Sequence, residues 1–207
     1  MQLNVQHFIT PEIFQLIKVW LMKYKFVILS FHHYNLHMRS LYQDQSFIIR
    51  EFSAEEQNLF CTLFEDTEVT KYLPYRSPEQ YIEMFEIALD DYNKGPFGRF
   101  GIFDSKTNDF IGMCLVRDFA DVPGQMEIGY TLCREYWGKG IATEVSRALV
   151  QYCFVATEGN EVVAVTDLDN IGSQKVLEKA GFSRLDNLRR TDRELAYYKV
   201  ERSEVAI

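Results

Sequence analysis

What most constrains the fold of this chain is one unbroken stretch, Gln125 to Glu144, which reads QMEIGYTLCREYWGKGIATE. Met126 to Leu132 alternates weakly and carries Ile, Tyr, Thr and Leu, side chains that suit a pleated surface, so a strand is expected there. Ile141, Val145, Ala148, Leu149, Tyr152 and Ala156 recur at helical spacing, which predicts an amphipathic helix over 141–156. Between the two, Trp137-Gly138-Lys139-Gly140-Ile141-Ala142-Thr143 must turn the chain. The first N–H groups of a helix have no partner inside it, and the helix dipole is positive at that end. Glycines let the backbone approach closely and aim those groups at an anion. One such charge-assisted bond is worth roughly 1.5–3 kcal/mol, so several together can hold a pyrophosphate.

Two familiar phosphate sites fit this turn poorly. A P-loop pattern would put its leading glycine on Cys133 and its Ser/Thr on Gly140. A dinucleotide fingerprint needs Gly or Ala at Thr143 and normally opens a βαβ unit early in the chain. A tight turn with glycines for shape alone stays open as an alternative.

With 207 residues, 47% of them hydrophobic and 14% aromatic, the chain can bury a sizeable core as one domain, or one domain with an extension. The net charge of −8 disfavours nonspecific binding to nucleic acid or an anionic membrane, and an acidic surface would instead attract cationic amines. Cys61, Cys114, Cys133 and Cys153 form no Cys-x-x-Cys pair and are expected to be reduced, mostly buried residues of a cytoplasmic protein.

Residues 1–43 differ from the rest. They hold all four histidines (His7, His32, His33, His37) and carry +3, leaving −11 on residues 44–207. Ile13 to Leu29 is apolar but too short and too charged for a membrane span, and it lacks the marks of a signal peptide. The segment is expected to be an N-terminal extension, helical or else absent from a native protein that starts at Met38. The histidines have no diagnostic metal spacing, so no metal is expected.

From Asp44 onward the pattern predicts one mixed α/β domain. Ser46–Arg50 is a short strand. Ser53 with Glu56 forms a capping box for a helix toward Phe64, and Pro78 opens a second helix with Tyr81, Phe85, Ala88, Leu89 and Tyr92 on one face. Residues 97–104 and 110–118 flank a polar turn as a hairpin. After the central strand and long helix come a short apolar strand at 162–166, a helix from Asn170 to Gly181, and a closing hairpin of 182–185 and 195–200, with 187–192 as a charged loop.

The turn also resembles the pyrophosphate loop of the GNAT-type N-acetyltransferases, Gln/Arg-x-x-Gly-x-Gly/Ala. Gly140 and Ala142 match, while Trp137 stands where Gln or Arg is usual. The wording EYWGKGIATE is similar to the RimJ/RimL-like branch, where Trp is common at that place. A second signature, Asn170-x-x-Ser173-x-x-Val176-Leu177-Glu178-Lys179-x-Gly181-Phe182, follows about thirty residues on. The resemblance covers residues 46–200. It implies a mostly antiparallel sheet of six to seven strands with a central splayed parallel pair and about four helices, acetyl-CoA as co-substrate in the splay, and transfer of the acetyl group to a primary amine. The protein would be a monomer or homodimer. The acceptor it suggests is a protein N-terminus. A small amine such as a polyamine, amino sugar or antibiotic is the alternative, as is a non-catalytic acyl-CoA-binding domain.

Acetyl transfer needs an acceptor stripped of its proton, donors for the oxyanion, and a tolerable leaving thiolate. Glu127, eleven residues before Gly138, resembles the strand glutamate that serves as base in several family members. Its alternatives are an ordinary strand-face glutamate or one that only positions the acceptor. Backbone N–H groups of Tyr130, Thr131 and Leu132 are expected along the thioester and pantetheine, and those of Trp137, Gly138, Lys139, Gly140, Ile141, Ala142 and Thr143 at the pyrophosphate. Asn170 resembles a pantetheine-binding asparagine, or is a helix cap, or both. Ser173 is a cofactor contact or a first-turn serine. Many relatives place an acidic Tyr where this chain has Leu177, so Ser173, another group or solvent must protonate the thiolate. The resemblance implies that Glu65, Asp66, Glu68, Tyr72, Tyr75, Asp118 and Asp121 fall in segments that line the acceptor side, where their acidity would suit a cationic amine; the alternative for each is a solvated loop charge.

Overall fold

The structure is a computed structural model that describes residues 38–190 and 193–205. The four histidines and the 13–29 segment lie outside the described residues. The strands are β1 (Ser40–Gln43), β2 (Phe47–Arg50), β3 (Gly98–Asp104), β4 (Phe110–Asp118), β5 (Met126–Leu132), β6 (Glu161–Asp167), β7 (Ser183–Arg184), β8 (Leu188–Arg189) and β9 (Glu194–Glu201). The α-helices are α1 (Gln57–Thr62), α2 (Thr67–Thr70), α3 (Pro78–Asp91), α4 (Ile141–Ala156) and α5 (Ile171–Lys179).

Among the described residues, all nine strands join one sheet in the order β1-β2-β3-β4-β5-β6-β9-β7, with β8 also on β9. Every pairing is antiparallel except β5 with β6. That parallel pair is bonded only at Met126↔Val162 and Glu127↔Val163 and then parts.

Two strands exceed the six or seven expected. Serine, leucine, tyrosine and glutamine in β1 give no alternating pattern, and this edge strand falls inside the 1–43 segment. The two residues of β8 sit in the expected charged loop and pair through Leu188↔Leu195, too short to leave a periodic signal. A fifth helix is the single turn α2, capped where the Asp66 carboxylate accepts the Glu68 N–H at 2.9 Å.

Capping explains the helix starts. Gln80 accepts the Ser77 N–H at 2.9 Å, and Pro78 at the first helical position gives up a donor that would have no partner. Before α1, Glu56 accepts the Ser53 N–H at 2.9 Å, and a 3-10 turn over Ala54–Glu56 leads into the helix.

Alternation gives the sheet two apolar faces. Phe100, Cys114, Ile128, Val162 and Ala196 lie in the main core with Val145, Leu149 and Cys153 of α4. On the other face Phe103 and Met113 pack with Phe52, Phe60 of α1 and Phe85 of α3. Each fully buried Phe contributes roughly 1.5–3 kcal/mol. The register sets Leu115, Arg117, Glu127, Gly129 and Thr131 on this second face, beyond that cluster.

Candidate active site

The site begins with how β5 spends its hydrogen bonds. Phe119 N–H donates to the Gln125 carbonyl at 2.8 Å, and Cys133 N–H to that of Ile111 at 2.9 Å. Backbone groups alternate sides along a strand, so odd-numbered residues of β5 bond toward β4 and even-numbered ones toward β6. Where β6 veers away, the amides of Tyr130 and Leu132 therefore face the gap, and that of Thr131 does not. Trp137 Nε1 donates to the Leu132 carbonyl at 2.9 Å, tying the following loop to the lip of this gap.

That loop ends at the N-terminus of α4. Gly138 has φ +72° and Gly140, the N-cap, φ +83°, a region that side-chain-bearing residues enter at a cost. A Cβ at either glycine would meet nothing within 4 Å, so open space lies before the loop. Thr143 and Glu144 N–H already donate to the Gly140 carbonyl, at 3.0 and 3.3 Å. Among the described residues, no protein acceptor meets the N–H groups of Gly138, Lys139, Gly140, Ile141 or Ala142. Five free amides, a helix dipole and open space fit the diphosphate of acetyl-CoA. Lys139 Nζ lies 5.2 Å from the centre of the Tyr136 ring.

Beside the loop, a cavity of about 390 Å³ is lined by both parities of β5, Glu127, Gly129 and Thr131 together with Ile128 and Tyr130. Successive side chains point to opposite faces, so this cavity passes through the sheet at the splay. One end meets α5. Asn170 Oδ1 accepts the Ser173 N–H at 3.0 Å as its N-cap, and among the described residues the Asn170 amide nitrogen makes no bond. The Tyr130 and Ser173 hydroxyls are 3.1 Å apart, and burial pushes the Tyr130 phenol up. Leu177, also in the lining, is buried, so no hydroxyl stands at that place.

At the other end Glu127 is 6% exposed and directly opposite Arg117 in the β4–β5 ladder. Arg117 Nε and an Nη each donate to Glu127 Oε2 at 2.7 Å. Glu127 Oε1 bonds to nothing among the described residues.

The structure thus brings Glu127, Tyr130, Thr131, Asn170 and Ser173 onto one cavity. Leu132 and Trp137 through Thr143 lie outside its lining, joined to it by the Trp137–Leu132 bond. Glu65, Asp66, Glu68, Tyr75, Asp118 and Asp121 do not line the cavity, and only Tyr72 of the expected acceptor-side group does. Asp66 caps α2, and Asp121 pairs with Arg190 at 2.6 Å. Five arginines line the cavity instead: Arg76, Arg99, Arg117, Arg190 and Arg193. The sequence reading did not include them. Arg117 comes opposite Glu127 only through the β4–β5 register.

A parallel pair prised open between an amide-lined helix start and a buried carboxylate is the architecture of an acyl-CoA-dependent transferase. The chain belongs to the acetyltransferase (GNAT) domain family, whose model matches residues 46–183, and it is an N-acetyltransferase of that family. It is 32% identical over 155 residues to a Bacillus licheniformis protein described as uncharacterized N-acetyltransferase p20, covering 73% of this chain and 86% of that one. Among solved structures, a RimL ribosomal-protein α-N-acetyltransferase in complex with coenzyme A superposes with a TM-score of 0.68 at 15% identity, covering 79% of this chain and 98% of that one. Spermidine N-acetyltransferase from Vibrio cholerae, with CoA and spermine, gives 0.64 at 16% identity, covering 78% and 98%.

Proposed function

We propose that the protein moves an acetyl group from acetyl-CoA directly to a primary amine at Glu127. The observation that carries this reading is the cavity through the splay, which puts a buried carboxylate and a half-buried hydroxyl pair on one passage. Bound acetyl-CoA supplies the acetyl group, activated as a thioester. The free amides of Gly138 to Ala142 hold its diphosphate, with Lys139 adding charge, and the gap-facing amides of Tyr130 and Leu132 bond alongside as a strand partner would. The free amide nitrogen of Asn170 donates to the pantetheine arm. Glu127, oriented by Arg117, takes the proton from the acceptor ammonium directly or through one water. Ser173, backed by the Tyr130 hydroxyl, returns a proton to the departing sulfur. Four free thiols, two of them buried, support a reducing, cytoplasmic setting.

The test is release of free thiol from acetyl-CoA in the presence of primary amines, with binding followed by calorimetry. Thiol release that needs the amine supports transfer. Heat of binding without thiol release from any amine points to an acyl-CoA-binding domain, and no heat at all removes the cofactor assignment.

A further inference from the structure

The charge of the cavity contradicts that of the chain. The whole sequence carries −8, yet among the described residues five arginines meet two carboxylates, Glu127 and Asp167, in this one lining. Two of the arginines are committed, Arg117 to Glu127 and Arg190 to Asp121. Arg76, Arg99 and Arg193 form no ion pair among the described residues, and Arg193 Nε is buried with no hydrogen-bond partner. Burial, and then the positive charges of Arg117 and Arg76, push the Arg99 guanidinium below its usual value. Cations gathered against their own repulsion favour an oxyanion that the protein does not itself provide. Guanidinium groups suit carboxylate and phosphate because their planar N–H pairs match two oxygens at once.

We propose that the acceptor is a small amine carrying its own carboxylate or phosphate, held by Arg99 and Arg193 while its amino group meets Glu127. This rests on the acetyltransferase reading and narrows its acceptor. The cavity's roughly 390 Å³ is in the range of small-molecule sites. A polyamine would bring further positive charge among unpaired guanidinium groups, and like charges in contact disfavour that partner.

The experiment pairs acceptors that differ only in the anion: leucine against leucinamide, O-phosphoethanolamine against ethanolamine, with spermidine and an acidic tetrapeptide beside them. Thiol release is measured on the wild type, Arg99→Gln and Arg193→Gln, with thermal melts to confirm folding. The expected result is kcat/KM at least tenfold higher for an anionic twin, an advantage lost in either variant through KM while the KM for acetyl-CoA is unchanged. The leucine and phosphoethanolamine arms separate a carboxylate from a phosphate. Equal rates for the twins, or preference for spermidine or the tetrapeptide, overturn the proposal and leave the transferase reading intact. If no acceptor releases thiol, the transferase reading fails and calorimetry on the coenzyme A-saturated protein decides the rest. Binding of the anionic twin alone, abolished by Arg99→Gln, sustains the arginine site, and any other pattern overturns it.

Discussion

The two ends of the gap between β5 and β6 are built from different materials. At the α4 end the groups proposed to face the ligand are backbone amides of one continuous segment, Gly138 to Ala142. At the Glu127 end they are side chains drawn from the loop before α3 (Arg76), from β3 (Arg99), β4 (Arg117) and β5 (Glu127), and from the segment between β8 and β9 (Arg190, Arg193). A backbone cradle needs glycine where φ is positive and is otherwise tolerant of sequence. A side-chain site changes whenever one of several positions changes, without touching the fold. The invariant part of the chemistry can rest on the first, and the choice of acceptor on the second.

The contrast breaks most sharply at Glu127. Glu127→Gln keeps the shape of the side chain and removes the proton acceptor, so kcat should fall by roughly 10²–10⁴. Acetyl-CoA affinity by calorimetry should stay within about twofold, because the proposed diphosphate cradle is made of amides elsewhere. An unchanged rate across the pH range would demote Glu127 to a structural partner of Arg117.

Gly140→Ala probes the opposite end. The new Cβ meets no protein atom, so its effects come from strain at φ +83° and from the space before the amides. The strain is worth about 1–2 kcal/mol. Weakening one or two charge-assisted bonds should raise the acetyl-CoA Kd by roughly 10–100-fold. Saturating acetyl-CoA should restore most of kcat. A variant that lost kcat and kept its Kd would put the cofactor elsewhere.

These two sites also mark what the chain disclosed and what it hid. The cradle was legible because its strand, turn and helix are contiguous and each has its own period: Met126–Leu132 and Ile141–Ala156 were found where expected. Glu127 and Asn170 could be placed for the same reason. The arginines could not, since Arg99 and Arg117 meet only through the register of β3, β4 and β5. Charged residues such as Glu65 and Asp118 looked equally eligible, and only the fold sorts lining from surface. Thr131 shows a finer limit. Its place on β5 was evident, but which edge its amide serves depends on the phase of bonding to β4.

Between the two ends sit Tyr130 and Ser173, and they sharpen the comparison by a smaller amount. Ser173→Ala leaves a half-buried phenol without its partner, which costs roughly 0.5–1.5 kcal/mol of stability. If Ser173 also feeds a proton to the leaving sulfur, kcat should drop with it, by about tenfold, while Tyr130→Phe gives a milder loss. A coupling energy near zero in the double variant would mean that the two hydroxyls act separately.

The smallest effect on function belongs to the thiols, and it reports on how dry the wall beneath the loop is. Burial pushes the Cys133 thiol up to about 11, and Cys153 up to about 12. Cys133 Sγ donates to the Phe110 carbonyl at 3.8 Å at the end of β5, just before the cradle. An ordinary cysteine titrates near ~8.5. A thiol whose value is raised in the folded state favours folding at low pH, and that contribution fades as pH climbs from the ordinary range toward 11. At pH 8 the thiolate fraction at Cys133 should be roughly a hundredfold below that of a free thiol, and labelling by a maleimide correspondingly slow. The rate should rise about tenfold per pH unit, and replacing Cys133 by serine should leave kcat within about twofold, since no acyl step uses this sulfur. Rapid labelling at pH 7 that acetyl-CoA suppresses would instead place Cys133 in open contact with the cradle, and the separation between a backbone end and a side-chain end would no longer hold.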